Sequence, residues 1–177
     1  MQIGFLYQLP WQSGPSRANL ASALINDWQV NGVFGAFSGA PFTVLANPAT
    51  LNTPQNAQTA DLVGEVRKVG DVGANGPYYD VSAWAQPQGV QFGNTERNQF
   101  RGPGGMSLDL SVFRAFPLGQ TRKIEFRLEA SNVTNRAIFQ NPINDNLVIT
   151  SPSFMRVTQI LSGYAERQIR VGLRFAF

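Results

Sequence analysis

The chain shows apolar residues at every second position in five separate segments. The last segment is the most regular, and its apolar residues are Ile169, Val171, Leu173, Phe175 and Phe177. An extended strand sends successive side chains to opposite faces, so this period indicates strands with one apolar and one polar face. The pattern predicts an antiparallel sheet with strands near residues 2–9, 28–44, 105–116, 122–134 and 167–177.

The alternation also predicts which residues share each face of the sheet. The apolar face should be continuous and should contain Ile3, Phe5, Val30, Phe34, Leu108, Leu110, Phe126, Leu128, Val171 and Leu173. The opposite face should carry the charged side chains Asp109, Lys123, Glu125, Arg127, Glu129, Arg170 and Arg174. Helical turns are predicted only within about residues 16–27.

The connections between these strands differ greatly in length. Two long loops are predicted at residues 45–103 and 132–166, which lack a sustained period. Short strands are possible within them at 63–69 and 155–160. A tight turn is predicted at 117–120. If the strands alternate in direction, both long loops leave from one end of the sheet. The other end receives the short turn and four aromatic residues, Trp11, Trp28, Phe116 and Phe177.

Outer-membrane barrels have this asymmetry, with short periplasmic turns, long extracellular loops and aromatic girdles at the interfaces. A soluble β-sandwich would alternate as well, but it has no reason to sort its loops by length. The predicted fold is therefore all-β: an antiparallel up-and-down transmembrane β-barrel segment of about five strands, forming an open curved sheet with two long extracellular loops.

Composition excludes several kinds of chemistry. The chain has no Cys and no His, which excludes disulfides, thiol nucleophiles, cysteine-ligated zinc and every His-dependent catalytic site. Glu125 and Glu129 lie about 13 Å apart along one strand, too far for a glycosidase pair. The net charge of +3 comes from scattered residues, without a basic stripe for nucleic acid. We expect a non-enzymatic protein with no metal, no cofactor and no nucleic-acid partner.

Several ordered motifs resemble one family. They are Trp28–Phe34 followed by Ser38–Val44, then Phe92–Gly104, Ser107–Phe113, Phe126–Asn135 and the terminal strand Arg167–Phe177. Each motif is weakly specific, but the ordered set covers essentially the whole chain. It is similar to the C-terminal barrel of TonB-dependent outer-membrane receptors of the Oar-like group, which are often described as containing a carboxypeptidase-like regulatory domain.

This resemblance implies an energy-coupled receptor that takes up a bulky nutrient across the bacterial outer membrane. Such receptors have an N-terminal plug, a TonB-contacting motif and a barrel of about 22 strands. Residues 1–177 would then be a C-terminal fragment of the barrel, without the plug. The implied partners are outer-membrane lipid, the missing plug and remaining strands, the barrel-assembly machinery, and TonB only through the absent N-terminal part.

The resemblance also suggests roles for named residues. Phe177, with the four alternating apolar residues before it, resembles the C-terminal signal that the assembly machinery captures by strand addition; the alternative is an ordinary amphipathic strand. Six charged residues would face the lumen, where they either contact the plug or substrate or simply pair with one another across strands. They are Asp109, Glu125, Arg127, Glu129, Arg170 and Arg174.

Two further alternatives concern the loops and the whole protein. The aromatic residues Tyr78, Tyr79, Trp84 and Phe92 either stack on a sugar or peptide ligand or pin the long loop to its neighbours. Asn132-Val133-Thr134 matches the glycosylation sequon, which we interpret as chance in a bacterial outer-membrane protein. The alternative function is a soluble all-β binding or adhesion module of carbohydrate-binding type.

Overall fold

The computed structural model describes residues 1–10, 26–51, 57–73, 75–164 and 166–177. Trp11 and nearly all of the predicted helical turns at 16–27 lie outside these ranges. The described residues form strands and short 3₁₀ turns without any α-helix, and none of their helices is long and apolar enough to cross a membrane. The strands are, in chain order, β1 (Gln2–Gln8), β2 (Gln29–Phe37), β3 (Pro41–Phe42), β4 (Asp61–Leu62), β5 (Trp84–Ala85), β6 (Phe100–Arg101), β7 (Gly105–Leu118), β8 (Arg122–Ser131) and β9 (Gln168–Ala176).

The principal sheet contains five strands in the order β1-β2-β7-β8-β9. The β1–β2, β7–β8 and β8–β9 pairs are antiparallel, with Ile3 opposite Phe34 in β1 and β2, and Leu128 opposite Val171 in β8 and β9. The connections before β2 and β8 meet one end of the sheet, and the long connections after β2 and β8 leave from the other. The predicted all-β antiparallel fold and the sorting of loops by length are therefore confirmed.

The predicted strand at 28–44 is wrong beyond Phe37. The chain breaks at residues 38–40, and Pro41–Phe42 forms a separate strand that pairs with Phe100–Arg101. Proline has no N–H to give to a strand ladder, so the long strand could not continue through Pro41 with regular pairing. Gly39 also lies directly against the backbone of Gly102, where no side chain would fit.

The strand predicted at 122–134 is too long by three residues. It ends at Ser131 because Asn132 takes a left-handed conformation with φ of 50°. The Asn132 backbone N–H donates to the Asp109 carboxylate at 2.8 Å, and its side-chain amide donates to the Arg136 carbonyl at 3.0 Å. These local hydrogen bonds replace the ladder and turn the chain out of the sheet.

The two long loops fold together as a second compact unit of residues 37–105 and 137–163, which we call the loop unit. It has its own hydrophobic core, formed by Phe42, Val44, Ala46, Ala60, Ala83, Trp84, Phe100, Phe154 and Met155. Backbone hydrogen bonds join the two loops, such as Tyr78 N–H to the Met155 carbonyl at 2.8 Å. The two long loops are therefore packed around a core, although their sequences show no regular period.

The short strands expected inside these loops are not at the predicted positions. Residues 63–69 contribute only an isolated bridge between Lys68 and Tyr79, while the nearby paired strands are β4 and β5. Residues 155–160 contribute only a bridge between Ile160 and Phe139. Side-chain packing, with Met155 fully buried, determines the path of this segment instead of a strand ladder.

Trp84 is the central ring of the loop unit, so its removal tests that core. Its ring contacts Phe100 and Phe154 edge-on, with centroids 5.3 and 5.7 Å apart. We expect Trp84→Ala to destabilise the loop unit by about 3–5 kcal/mol because a large buried ring leaves a cavity. Hydrogen exchange of the membrane-embedded protein should show lost protection in residues 37–105 but not in β8. Val69→Ala, at an exposed position, is the control, and equal effects of the two variants would contradict this core.

Candidate functional site

One face of the principal sheet is largely apolar, as the alternation predicts. Register places Phe126 opposite Leu173 and Leu128 opposite Val171 on this face. The apolar side chains of β9 are open to their surroundings, with Leu173 73% exposed. A contiguous exposed apolar face of this kind marks contact with a membrane or with another apolar surface.

The other face carries the charges. The cross-strand register sets Glu125 opposite Arg174 and Glu129 opposite Arg170. Glu125 accepts from Lys123 at 2.7 Å and lies 3.8 Å from the Arg174 guanidinium, while Arg127 lies 3.5 Å from Glu129. Asp109 lies on the same face, but its carboxylate accepts a hydrogen bond from the Asn132 backbone N–H. The six residues predicted to line a lumen therefore share one face, and four of them form ion pairs there.

A shallow polar cleft of about 350 Å³ lies on this charged face. Its lining contains the ring of Phe113, over which the Arg127 guanidinium lies 5.8 Å from the centroid. Sequence analysis missed Phe113, although its position in the polar phase of β7 is the signal that could have found it. The complete lining is Gln29, Asn31, Ser111, Phe113, Arg127 and Glu129.

Comparison with known families decides what this two-faced sheet is. The sequence model of the outer membrane beta barrel domain matches residues 1–170. The chain belongs to this family. Comparison with curated proteins gives no significant match, and neither does comparison with solved structures.

Membership in the outer-membrane β-barrel domain family indicates which face of the sheet contacts lipid and which faces the barrel interior. The protein is located in the bacterial outer membrane, where barrel strands present apolar residues to lipid and polar residues to the interior. We accordingly assign the apolar face to lipid and the charged face to the inside of the barrel. The alternative of a soluble all-β binding or adhesion module is wrong, because the chain belongs to an outer-membrane barrel domain family.

Three of the four aromatic residues expected at the tight-turn end, Trp28, Phe116 and Phe177, lie at that end of the lipid face, while Trp11 lies outside the described residues. Trp28 packs edge-on against Phe116 and Phe126, with centroids 6.4 and 5.8 Å apart. Sequence analysis missed Arg114, a charged residue in the apolar phase of β7 that is only 3% exposed. Its guanidinium lies 4.4 Å from the Phe116 ring and 5.5 Å from the Trp28 ring. These ring faces offset part of the cost of removing the guanidinium from water.

The loop residues predicted as ligand contacts lie in or beside the loop-unit core. Tyr78 and Trp84 are buried, and the Tyr79 hydroxyl donates to the Arg101 carbonyl at 2.7 Å. Burial, with a smaller contribution from Tyr78, raises the pKa of the Tyr79 phenol. This packing supports the alternative in which these three rings pin the long loop.

Next to these rings, Asp80 fixes the start of a 3₁₀ turn at Val81–Ala83. Its carboxylate accepts from the Ser82 hydroxyl at 2.7 Å and from the Ser82 N–H at 3.1 Å. These two hydrogen bonds, together with the charge of Arg67, hold the pKa of Asp80 below its ordinary value. The sequon residue Asn132 is also held by hydrogen bonds and is buried, in agreement with a chance match.

Adjacent residues of β8 test the assignment of the two faces. Leu128→Arg would place a cation in lipid and should destabilise the assembled barrel by about 2–4 kcal/mol. Arg127→Leu should cost much less because residue 127 faces the interior. Denaturant titration or heat-modifiable gel migration of the full-length protein measures both. Equal effects, or the reverse order, would show that the faces are exchanged.

Arg114 gives a second test, because its contacts with the aromatic rings are favourable only for a positive charge. We expect Arg114→Glu to destabilise the barrel by about 2–4 kcal/mol, since a carboxylate would lie against the negative faces of Phe116 and Trp28. The matched control is Arg122→Glu at the exposed start of β8, which should be nearly neutral. The same denaturant titration applies, and a similar loss in both variants would mean that the aromatic contacts contribute nothing.

Proposed function

We propose that this chain is the C-terminal part, residues 1–177, of an energy-coupled TonB-dependent receptor that takes up a bulky nutrient. The observation that carries the proposal is the folding of both long connections into one unit with its own core. Ordered extracellular loops are a suitable surface for capturing a ligand, because binding does not have to order them. The ordered motifs that resemble Oar-like receptors support the same function, which is non-enzymatic.

The edges of the sheet support a barrel larger than five strands. Within the described residues, β1 pairs only with β2, and β9 only with β8. Each unpaired N–H or C=O group in lipid costs several kcal/mol, so the two edges need further strands. Five strands also cannot close around an interior filled with side chains. We infer that the remaining barrel strands supply these partners and that a plug fills the interior.

The charged inner face supports contact with that plug or with cargo. Lys123, Arg127 and Arg174 each lie within 4 Å of a carboxylate on this face. Arg170 makes no ion pair with any of the described residues, and Asp109 is engaged by a backbone N–H. The face carries four cations and three carboxylates, and its one cation without an ion pair among the described residues, Arg170, suits an acidic plug segment or an anionic group on the cargo.

The last strand supports recognition by the barrel-assembly machinery. Its apolar residues Ile169, Val171, Leu173, Phe175 and Phe177 are exposed, and the rings of Phe175 and Phe177 stack with centroids 5.9 Å apart. An exposed strand edge with this side-chain pattern can be captured by strand addition. We propose that these five residues form the assembly signal.

Energy coupling can be tested in the native bacterium. Three strains are compared: the parent, a strain lacking the receptor gene and a strain lacking TonB. Mass spectrometry of spent medium should show the same nutrient left unconsumed in both deletion strains. A nutrient that depends on the receptor but not on TonB would contradict energy coupling and favour a passive pore.

A further inference from the structure

We propose that Arg136 and Arg167, at the extracellular end of the lipid face, bind a phosphate group of lipopolysaccharide in the outer leaflet. We call these two residues the arginine pair, and both lie in the long connection between β8 and β9. Both side chains are exposed, and neither makes an ion pair with any residue in the described part of the chain. Their role depends on the outer-membrane location of the protein and not on energy coupling.

Side-chain hydrogen bonds hold the backbone of both arginines at one place. The Asn132 side-chain oxygen accepts from the Arg136 N–H at 3.2 Å, and its amide donates to the Arg136 carbonyl at 3.0 Å. The Asn135 side-chain oxygen accepts from the Arg167 N–H at 3.1 Å, so Arg167 adjoins the residue directly before Arg136. The two asparagines have φ of 50° and 51°, a left-handed conformation that asparagine adopts more readily than most residues. A main chain fixed in this way lowers the entropic cost of binding.

Arg167 has the strand phase of the lipid face. It lies one residue before β9 and two before Ile169, so an extended backbone sends these two side chains to the same side. Ile169 and Val171 are exposed and continue the apolar surface from Arg167 toward the middle of the membrane. The adjacent acid, Glu166, falls in the opposite phase, and no ion pair joins these two described neighbours. Arg167 therefore adjoins a surface that acyl chains cover.

The depth of Arg167 matches the level of the lipid headgroups. Arg167 lies ten positions before Phe177, at the other end of the apolar stripe. At a rise of about 3.4 Å per residue, this separation is about 34 Å along the strand. With a strand tilt of about 40°, it becomes about 26 Å along the membrane normal. The apolar band of outer-membrane barrels is about 25 Å tall, which places residue 167 at its outer boundary.

The chemistry at this boundary favours a lipid phosphate. Lipid A, the membrane anchor of lipopolysaccharide, carries its phosphates where its sugars meet the acyl chains, and guanidinium groups bind phosphate through two parallel hydrogen bonds. A soluble anion could also meet the arginine pair, but it would leave Ile169 and Val171 uncovered. Lipopolysaccharide satisfies both surfaces, because its phosphate meets the arginines while its acyl chains cover the apolar stripe.

Binding of lipid A to the purified full-length protein in non-ionic detergent tests this site, with microscale thermophoresis as the measurement. We expect Arg136→Gln and Arg167→Gln each to weaken binding about fivefold, and the double variant about 25-fold, the scale of one and two cations facing an anionic lipid. Arg167→Lys should retain most of the affinity because it keeps the charge. The matched control is Arg97→Gln, which removes an exposed arginine from the loop unit and should bind like the wild type.

Removing the phosphates from the ligand is the complementary test. Dephosphorylated lipid A should bind the wild type about as weakly as lipid A binds the double variant. Equal affinity of the wild type for the two ligands, or no binding of lipid A, would overturn the proposal. Equal weakening by Arg97→Gln would also overturn it, since the effect would then reflect net charge and not a site.

Two competitors distinguish lipopolysaccharide from other sources of phosphate. Phosphatidylglycerol represents any anionic lipid, inorganic phosphate represents a free anion, and neither should displace lipid A at an equal concentration. Displacement by phosphatidylglycerol would indicate a general anionic-lipid surface, and displacement by inorganic phosphate a free-anion site; either result contradicts the proposal. Heat-modifiable migration checks that each variant is folded, while the dephosphorylated ligand tests the site on the wild type alone.

Discussion

The structure depends on one constraint: in lipid, every backbone polar group needs a partner within the protein, and strands meet this need only by pairing along their length. Pairing in register forces successive side chains to opposite faces, so one apolar and one charged face arise together. Phe126 beside Leu173 and Glu125 beside Arg174 are two results of the same ladder. The match of the chain to the outer membrane beta barrel domain agrees with this two-faced arrangement.

Charged residues occur on both faces of the sheet, and their charges are stabilised differently on each face. On the inner face, Glu125 lies between Lys123 and Arg174, whose opposite charges stabilise its carboxylate. On the lipid face, Arg114 has the phase of a lipid-facing residue yet is buried between aromatic rings. A cation is tolerated there because Trp28 and Phe116 shield it near the end of the strand.

Sequence alternation was enough to predict the sheet, because a period of two depends only on local geometry. It placed Leu128 and Arg127 on opposite faces and put both long loops at one end. It could not predict the loop unit, whose core joins residues far apart in the chain, such as Trp84 and Phe154. It also missed Arg114, since the Trp28 ring beside it is far away in the chain, just before β2. It overextended β8 because a left-handed Asn132 leaves no periodic signal.

The most direct test of the two-faced barrel is cysteine scanning of β8, which is practical because residues 1–177 contain no cysteine. Single cysteines are placed at 125, 127 and 129 and, separately, at 124, 126 and 128 of the full-length protein, with any other cysteines replaced. In intact outer membranes, a small water-soluble thiol reagent should label the first set, while fluorophores on the second set should be quenched by brominated lipid. Labelling without alternation, or quenching at 125, 127 and 129, would contradict the account.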